Sequence, residues 1–210
     1  MAAAALDERF RAARLVADAV LYEGYVLYPY RASARKNQMR WQFGVLAPPE
    51  CAPSEASSVQ TQVMVDAGIA ARVHVRIRCL QVQARTVEDA SAGYESVATL
   101  DAGDQLWTSF DEAVEHQLDL TDAVLGDLLT APRVALVEWP GGEDVETIVG
   151  ADGVAVGRVV RRRWPVSARV ELSAAWAEGP NPLPRLTVAI DNTTPSLPEP
   201  RAGSGTGSDG

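Results

Sequence analysis

Soft metal ligands and nucleophiles are scarce in this chain, which has two cysteines and two histidines in 210 residues. Cys51 and Cys79 form no CxxC pair and are too few for a disulfide framework. His74 and His116 stand far apart in sequence, so only separate strands could gather a zinc site from these four residues. Cys79 reads as an ordinary buried thiol. Catalytic signatures are missing too: there is no GxSxG elbow, no Walker loop, no GxGxxG after a strand and no HExxH. The acids Asp101 and Asp104, and Glu143, Asp144 and Glu146, lack the alternate-position pattern of a calcium loop and read as solvated loop charges. No metal or other cofactor is expected.

Long apolar runs are equally absent. None approaches the roughly 18–20 residues of a spanning helix. The N-terminus MAAAALDERFRAARLVADAV has Asp7, Glu8, Arg9 and Arg11 where a signal peptide needs an apolar core, so a cytoplasmic location is expected. Its Leu6, Phe10 and Ala13 spacing suggests a short amphipathic helix over residues 1–17.

Lysine occurs once, at Lys36, within the richest stretch of the chain. Asp18 to Pro48 holds four of the five tyrosines, Tyr22, Tyr25, Tyr28 and Tyr30. Leu21–Tyr28 and Met39–Leu46 carry the β-branched and aromatic residues that suit strands. Between them Arg31, Arg35, Lys36 and Arg40 form a cationic loop framed by Tyr30 and Trp41, with Asn37 inside it. Arginine forks and aromatic rings are favoured at protein interfaces, so Tyr30, Arg31, Arg35, Lys36, Asn37, Arg40 and Trp41 are the candidate partner-binding residues.

The net charge is -9, and it is unevenly spread. Residues 88–152 hold one arginine, Arg133, against sixteen acids, while the flanking stretches are mildly basic. Such a pattern fits surfaces that face each other or water within one fold, or a bipolar molecule offering separate faces to a partner. One small cationic loop is too little for broad nucleic-acid binding. Arg161-Arg162-Arg163 is the second cationic feature, with Arg161 and Arg163 on one side and Arg162 on the other. It reads as an edge strand guarded by charge, or as a partner for the acidic middle.

Period-two patterning dominates the rest. Val59–Val65 reads as a half-exposed strand. Ala71–Val87 is the clearest alternation, with Val73, Val75, Ile77 and Cys79 on one side. At Cys79-Leu80 the apolar phase flips to Leu80, Val82 and Ala84, the mark of a bulge or a strand crossing between sheets. Ser109–Leu120 fits a capped helix or a strand, and the acids on one side favour the strand. Further strands are expected at Arg133–Trp139, Val154–Arg161, Val166–Trp176 and Leu186–Asp191. Turns are expected at Pro140-Gly141-Gly142, at Asp152-Gly153 and over Glu178–Pro182. The fold class is mainly β: an antiparallel β-sandwich or two packed β modules with a short N-terminal helix. The β-rich body is expected over residues 18–195, with a sub-boundary near 141–153, and residues 196–210 should be disordered.

Three strings, VLYEGYVLYPYRASARKNQMRWQFGVL, LQVQART at Leu80–Thr86 and LTVAIDNTTP at Leu186–Pro195, carry a resemblance. Together they resemble a family of uncharacterised proteins encoded beside [NiFe]-hydrogenase structural and maturation genes, chiefly in actinobacteria. The resemblance implies a non-enzymatic accessory role in hydrogenase assembly or scaffolding, with a hydrogenase subunit or maturation factor as partner. Members of that family continue well past the NTTP motif, so the resemblance implies a shortened member. Two other readings stand beside it: a metal-handling or enzymatic factor with a site assembled from dispersed residues, and a ligand-binding β-sandwich using Trp107, Trp139 or Trp176.

Overall fold

The computed structural model describes residues 3–26, 44–51, 54–103, 105–180 and 182–195. It is mainly β, with antiparallel sheets and one N-terminal helix. The chain divides into two compact units that interleave along the sequence.

The first unit contains α1 (Ala3–Val26), β2 (Arg72–Asp89), β3 (Glu95–Val97), β4 (Thr99–Asp101), β5 (Leu106–Thr108), β6 (Phe110–Val124), β8 (Gly142–Val149) and β9 (Ala155–Arg163). Its sheet runs β3-β2-β9-β8, with β6 also paired to β2 and a small β4-β5 ribbon alongside. The second unit contains β1 (Ser58–Met64), α2 (Leu125–Leu128), β7 (Arg133–Trp139), β10 (Val166–Trp176) and β11 (Pro184–Asn192), in the strand order β1-β11-β10-β7. Residues 141–153 fall inside the first unit. The tail expected to be disordered, 196–210, lies outside the described residues.

α1 starts in an alanine-rich stretch, the best helix-forming composition. Glu8–Arg11 and Arg14–Asp18 pairs at 3.0 and 3.9 Å add exposed support. The helix runs on to Val26, through residues whose composition suggests a strand. Once a helix is nucleated, each further residue gains a hydrogen bond at low cost, while β propensity mostly reports fit to a packed pleated surface. Gly44–Leu46, the end of the other expected strand, is not in a ladder either; Leu46 instead accepts a hydrogen bond from the Asn192 side chain at 2.8 Å.

β2 and β6 form the longest pairing, in unbroken register from Val75↔Leu120 to Arg85↔Phe110. The irregularity is not at Cys79-Leu80 but between Val73 and Val75, where Thr121 and Asp122 together oppose His74. Asp122 takes φ 58°, and its N–H donates to His74 Nδ1 at 3.3 Å. No phase flip occurs because the odd-numbered face keeps its place with polar residues: Gln81 and Gln83 are buried at 4 and 6% exposure, while Val82 is 54% exposed. Ser109 does not cap a helix. Its hydroxyl accepts from Val87 N at 2.8 Å and donates to the Val97 carbonyl at 2.7 Å.

One end of this odd-numbered face is apolar. Val87, Ala102, Ile148 and Val159 are buried together under Val97, Leu100, Trp107 and Val156. Gly157 is needed here, since a Cβ would run into the Glu88 carbonyl and the Leu100 side chain. In the second unit, Ala168, Val170 and Leu172 of β10 and Leu186 of β11 share a buried face, and α2 packs on β10 with Leu125 and Leu128 buried. Among the described residues no helix is long and apolar enough to cross a membrane.

Candidate functional site

The cationic loop residues Tyr30, Arg31, Arg35, Lys36, Asn37, Arg40 and Trp41 lie outside the described residues. The second cationic feature is well placed, and its position corrects the edge-strand expectation. β9 is an interior strand, hydrogen-bonded to β2 on one side and β8 on the other. Arg161 and Arg163 do share a face, with Arg162 opposite. The acids Glu143, Asp144 and Glu146 are not loop charges, because Gly142–Val149 forms a strand directly beside the arginines. Pairing in that register aligns β8 acids with β9 arginines. Arg161 Nη1 donates to Glu146 at 2.8 Å, Arg162 Nε to Glu143 at 2.8 Å, and Arg163 Nη1 to Asp144 at 3.2 Å.

The centre of the same face is a polar belt assembled from four strands. Gln83 Nε2 donates to Glu112 Oε2 at 2.7 Å, and Gln83 Oε1 accepts from Arg163 Nη1 at 2.5 Å. Glu112 also receives Arg161 Nε at 3.3 Å, with Arg85 Nε 3.5 Å from its other oxygen. The Arg85 guanidinium lies over the Phe110 and Trp107 rings at 4.7 and 5.7 Å from their centroids. A side chain at residue 142 would crowd Arg163, so Gly142 makes room for the guanidinium. Within this belt Arg85, Arg161 and Arg163 are matched by Glu112, Asp144 and Glu146. The buried Gln83 amide bridges Glu112 and Arg163, and its hydrogen bonds, shielded from water, are the strongest of the belt.

Gln81 extends the belt. Its Nε2 donates to the Trp164 carbonyl at 2.6 Å, which turns Oε1 toward His116 Nε2 at 2.8 Å. His116 therefore carries its proton on Nε2. Burial, and then the Arg163 charge, hold its pKa below the ordinary value. Protons thus bind the unfolded chain more readily than the folded one, and stability should fall as pH drops below about 6.5. Denaturant unfolding at pH 7.5 and 5.5 checks this. His116→Gln should shrink the loss between the two; an unchanged loss would assign it to other groups.

Cys79 lies directly across from His116 in the β2–β6 ladder. The pair is not an activated nucleophile, because burial, followed by the Glu115 charge, pushes the thiol up to about 11. Cys51 is exposed in the second unit and His74 is occupied at the bulge. Among the described residues no cluster of His, Cys, Asp or Glu could hold a metal ion. Trp107 packs on the core of the first unit, while Trp139 and Trp176 align with opposite ends of β10, about 33 Å apart. A shallow depression lined by Asp89, Ser91, Leu100 and Val156 holds one carboxylate. Asp89 is lowered in pKa by hydrogen bonds from Ser91, its neighbour in the turn.

Sequence reasoning singled out Arg161–Arg163 but passed over Gln81, Gln83 and Glu112. The available signal was that Gln81 and Gln83 continue the inward phase set by Val73, Val75, Ile77 and Cys79. Comparison with protein-family models, curated proteins and solved structures finds no match to this chain.

Proposed function

We propose that this chain is a non-enzymatic interaction protein whose docking segment is the cationic, aromatic loop from Tyr30 to Trp41. The observation that carries this reading is the way the sheet of the first unit uses its ionisable groups. Glu112, Glu115, Asp119, Glu143, Asp144 and Glu146 each face an arginine of β2 or β9. Six of the sixteen acids in the acidic middle of the sequence are thereby paired within the fold, and the Cys79 thiol is kept protonated. These charges build a scaffold rather than a reaction centre. The loop contributes arginine forks and rigid rings, the residue types that dominate interface energies. The sequence resemblance points to a [NiFe]-hydrogenase subunit or a maturation factor as the partner.

Affinity purification from the native host, with mass spectrometry of what co-purifies, tests the partner. Recovery of a hydrogenase subunit or maturation factor is expected, and their reproducible absence in hydrogen-oxidising cells would sink that assignment. Reversing Arg31, Arg35 and Lys36 to Glu tests the loop. Complex formation should drop at least tenfold, and the wild-type complex should weaken with salt. The melting temperature should barely move, since exposed ion pairs contribute about 0–1 kcal/mol each. A large loss of stability with binding intact would make the loop structural.

A further inference from the structure

Among the described residues, β1 is an edge strand with none of the usual protection. It lies at one end of the sheet in the second unit, and among the described residues it pairs only with β11. All seven of its residues are exposed. Natural edges are commonly guarded by charge, proline, a bulge or shortness. Ser58–Met64, SVQTQVM, has no charge and no proline, and its register with β11 is unbroken. The opposite edge, β7, differs in carrying Arg133 and Glu138.

The sequence of this edge is a palindrome. Val59-Gln60-Thr61-Gln62-Val63 reads the same in both directions, so a two-fold antiparallel contact centred on Thr61 sets like side chains opposite one another. The backbone agrees. Asn192 N donates to the Ser57 carbonyl and Val65 N to the Pro184 carbonyl, both at 2.8 Å. The odd-numbered residues of β1 therefore turn their peptide groups toward β11. By strand alternation, Ser58, Gln60, Gln62 and Met64 turn theirs to the open edge.

We propose that β1 pairs with β1 of a second copy of this chain, antiparallel about a two-fold axis at Thr61, making one continuous eight-stranded sheet. Gln60 then opposes Gln62 of the other copy, and Ser58 opposes Met64, giving about eight inter-chain hydrogen bonds from the outward-facing groups. Thr61 opposes Thr61, and Val59 opposes Val63, as non-hydrogen-bonded pairs in which side chains approach most closely. Because the paired residue numbers have an even sum, the two buried faces join and the two polar faces join. Glu55 and Asp66, the nearest acids, fall opposite Ala67 and Ala56, so no like charges meet. The partner is a second copy rather than an unrelated strand because this register sets glutamine opposite glutamine, valine opposite valine and threonine opposite threonine and brings no like charges together. A seven-residue strand is about 23 Å long. Such a contact is smaller than the roughly 1,200–2,000 Å² of a standard stable interface, so dimerisation should depend on concentration.

Sedimentation of the full chain over a range of concentrations reads this equilibrium, and the register can be tested by charge. Q60K/Q62K places lysine opposite lysine twice and should weaken the dimer roughly tenfold. Q60K/Q62E places opposite charges in both pairs and should restore it, with a new salt dependence. In a Cys51→Ser background, Thr61→Cys should cross-link on oxidation, because the two introduced thiols sit within disulfide reach, whereas Val59→Cys should not. All variants should melt like the wild type, since these side chains are exposed. A monomer at every concentration would overturn the proposal and leave the edge for another polypeptide. A dimer indifferent to Q60K/Q62K would place the contact elsewhere. Equal cross-linking of Val59→Cys and Thr61→Cys would refute the register.

Discussion

Replacing Arg76 and Arg78 together by methionine should release α1 from the sheet while leaving the β2–β6 ladder intact. Both arginine side chains are almost fully buried between the helix and the strands. Arg76 Nε donates to Asp119 Oδ1 at 2.7 Å, while its Nη2 lies 2.8 Å from Asp7 of α1. Arg78 Nε donates to Glu115 Oε1 at 2.7 Å, and its Nη1 lies 2.6 Å from Asp18 of α1. Each guanidinium thus joins one acid of β6 to one acid of the helix. Asp7 and Asp18 are eleven residues apart, about three helical turns, so both fall on the same side of α1. Apolar anchoring is thin by comparison. Leu6 is buried and Phe10 lies under Arg76 at 4.8 Å, but Leu15 and Val16 are exposed.

Removing one partner of a fully buried ion pair costs about 3–5 kcal/mol. Here Asp7 and Asp18 are half-exposed and can rehydrate, so about 2 kcal/mol for each arginine is the expected loss. Hydrogen exchange should show the amides of Ala5–Asp18 losing protection by a factor of hundreds, with those of Val114–Leu120 changing little. Protection of α1 as strong as in the wild type would mean that apolar packing holds the helix. The Arg76 hydrogen bond also keeps Asp119 below its ordinary pKa. Stability from that pair is therefore present above the unfolded value and is lost as the pH falls through the lower folded one, so acid should weaken this β2–β6 link only late.

These two arginines illustrate how much of the fold was legible in the sequence. Arg76 and Arg78 were readable as the polar side of an alternating strand, and β2, β6, β7, β9, β10 and β11 all lie close to where alternation places them. Alternation reports which residues share a side; it does not report what covers that side. Arg76 and Arg78 look solvent-facing in sequence and are buried because α1 lies over them. Gln81 and Gln83 look like the outer face after a phase flip, and they are inside because Trp164, His116, Glu112 and Arg163 satisfy their amides. β8 escaped notice because Glu143, Asp144 and Glu146 give a strand no apolar signal. Its stabilising partners, Arg161–Arg163, lie after an intervening turn. Charge segregation along the sequence carried part of this: six of the sixteen acids of the middle stretch, those on β6 and β8, meet arginines of β2 and β9.

The second large effect is expected in the other unit, where two leucines of one sheet should respond oppositely to the same change. Leu172 is at 0% exposure near the middle of β10, flanked in register by Val188 of β11 and Arg133 of β7. It shares its face with Val170 and Leu186, and α2 packs on that strand. Leu136 belongs to the neighbouring strand β7, opposite Arg169, and is 78% exposed. Leu172→Ala removes the side chain from a site closed on all sides, and the resulting cavity adds to the lost transfer energy. About 3–4 kcal/mol is expected, within the range of roughly 2–5 for buried leucines. Leu136→Ala removes the same atoms from a side chain in water and should stay within about 0.5 kcal/mol. Urea unfolding followed by tryptophan fluorescence is suited to the comparison, because Trp139 and Trp176 belong to this sheet. Equal losses at the two positions would mean that the face of the sheet carrying Leu136 is covered in solution. A loss under about 1 kcal/mol at Leu172 would contradict the core described for this unit.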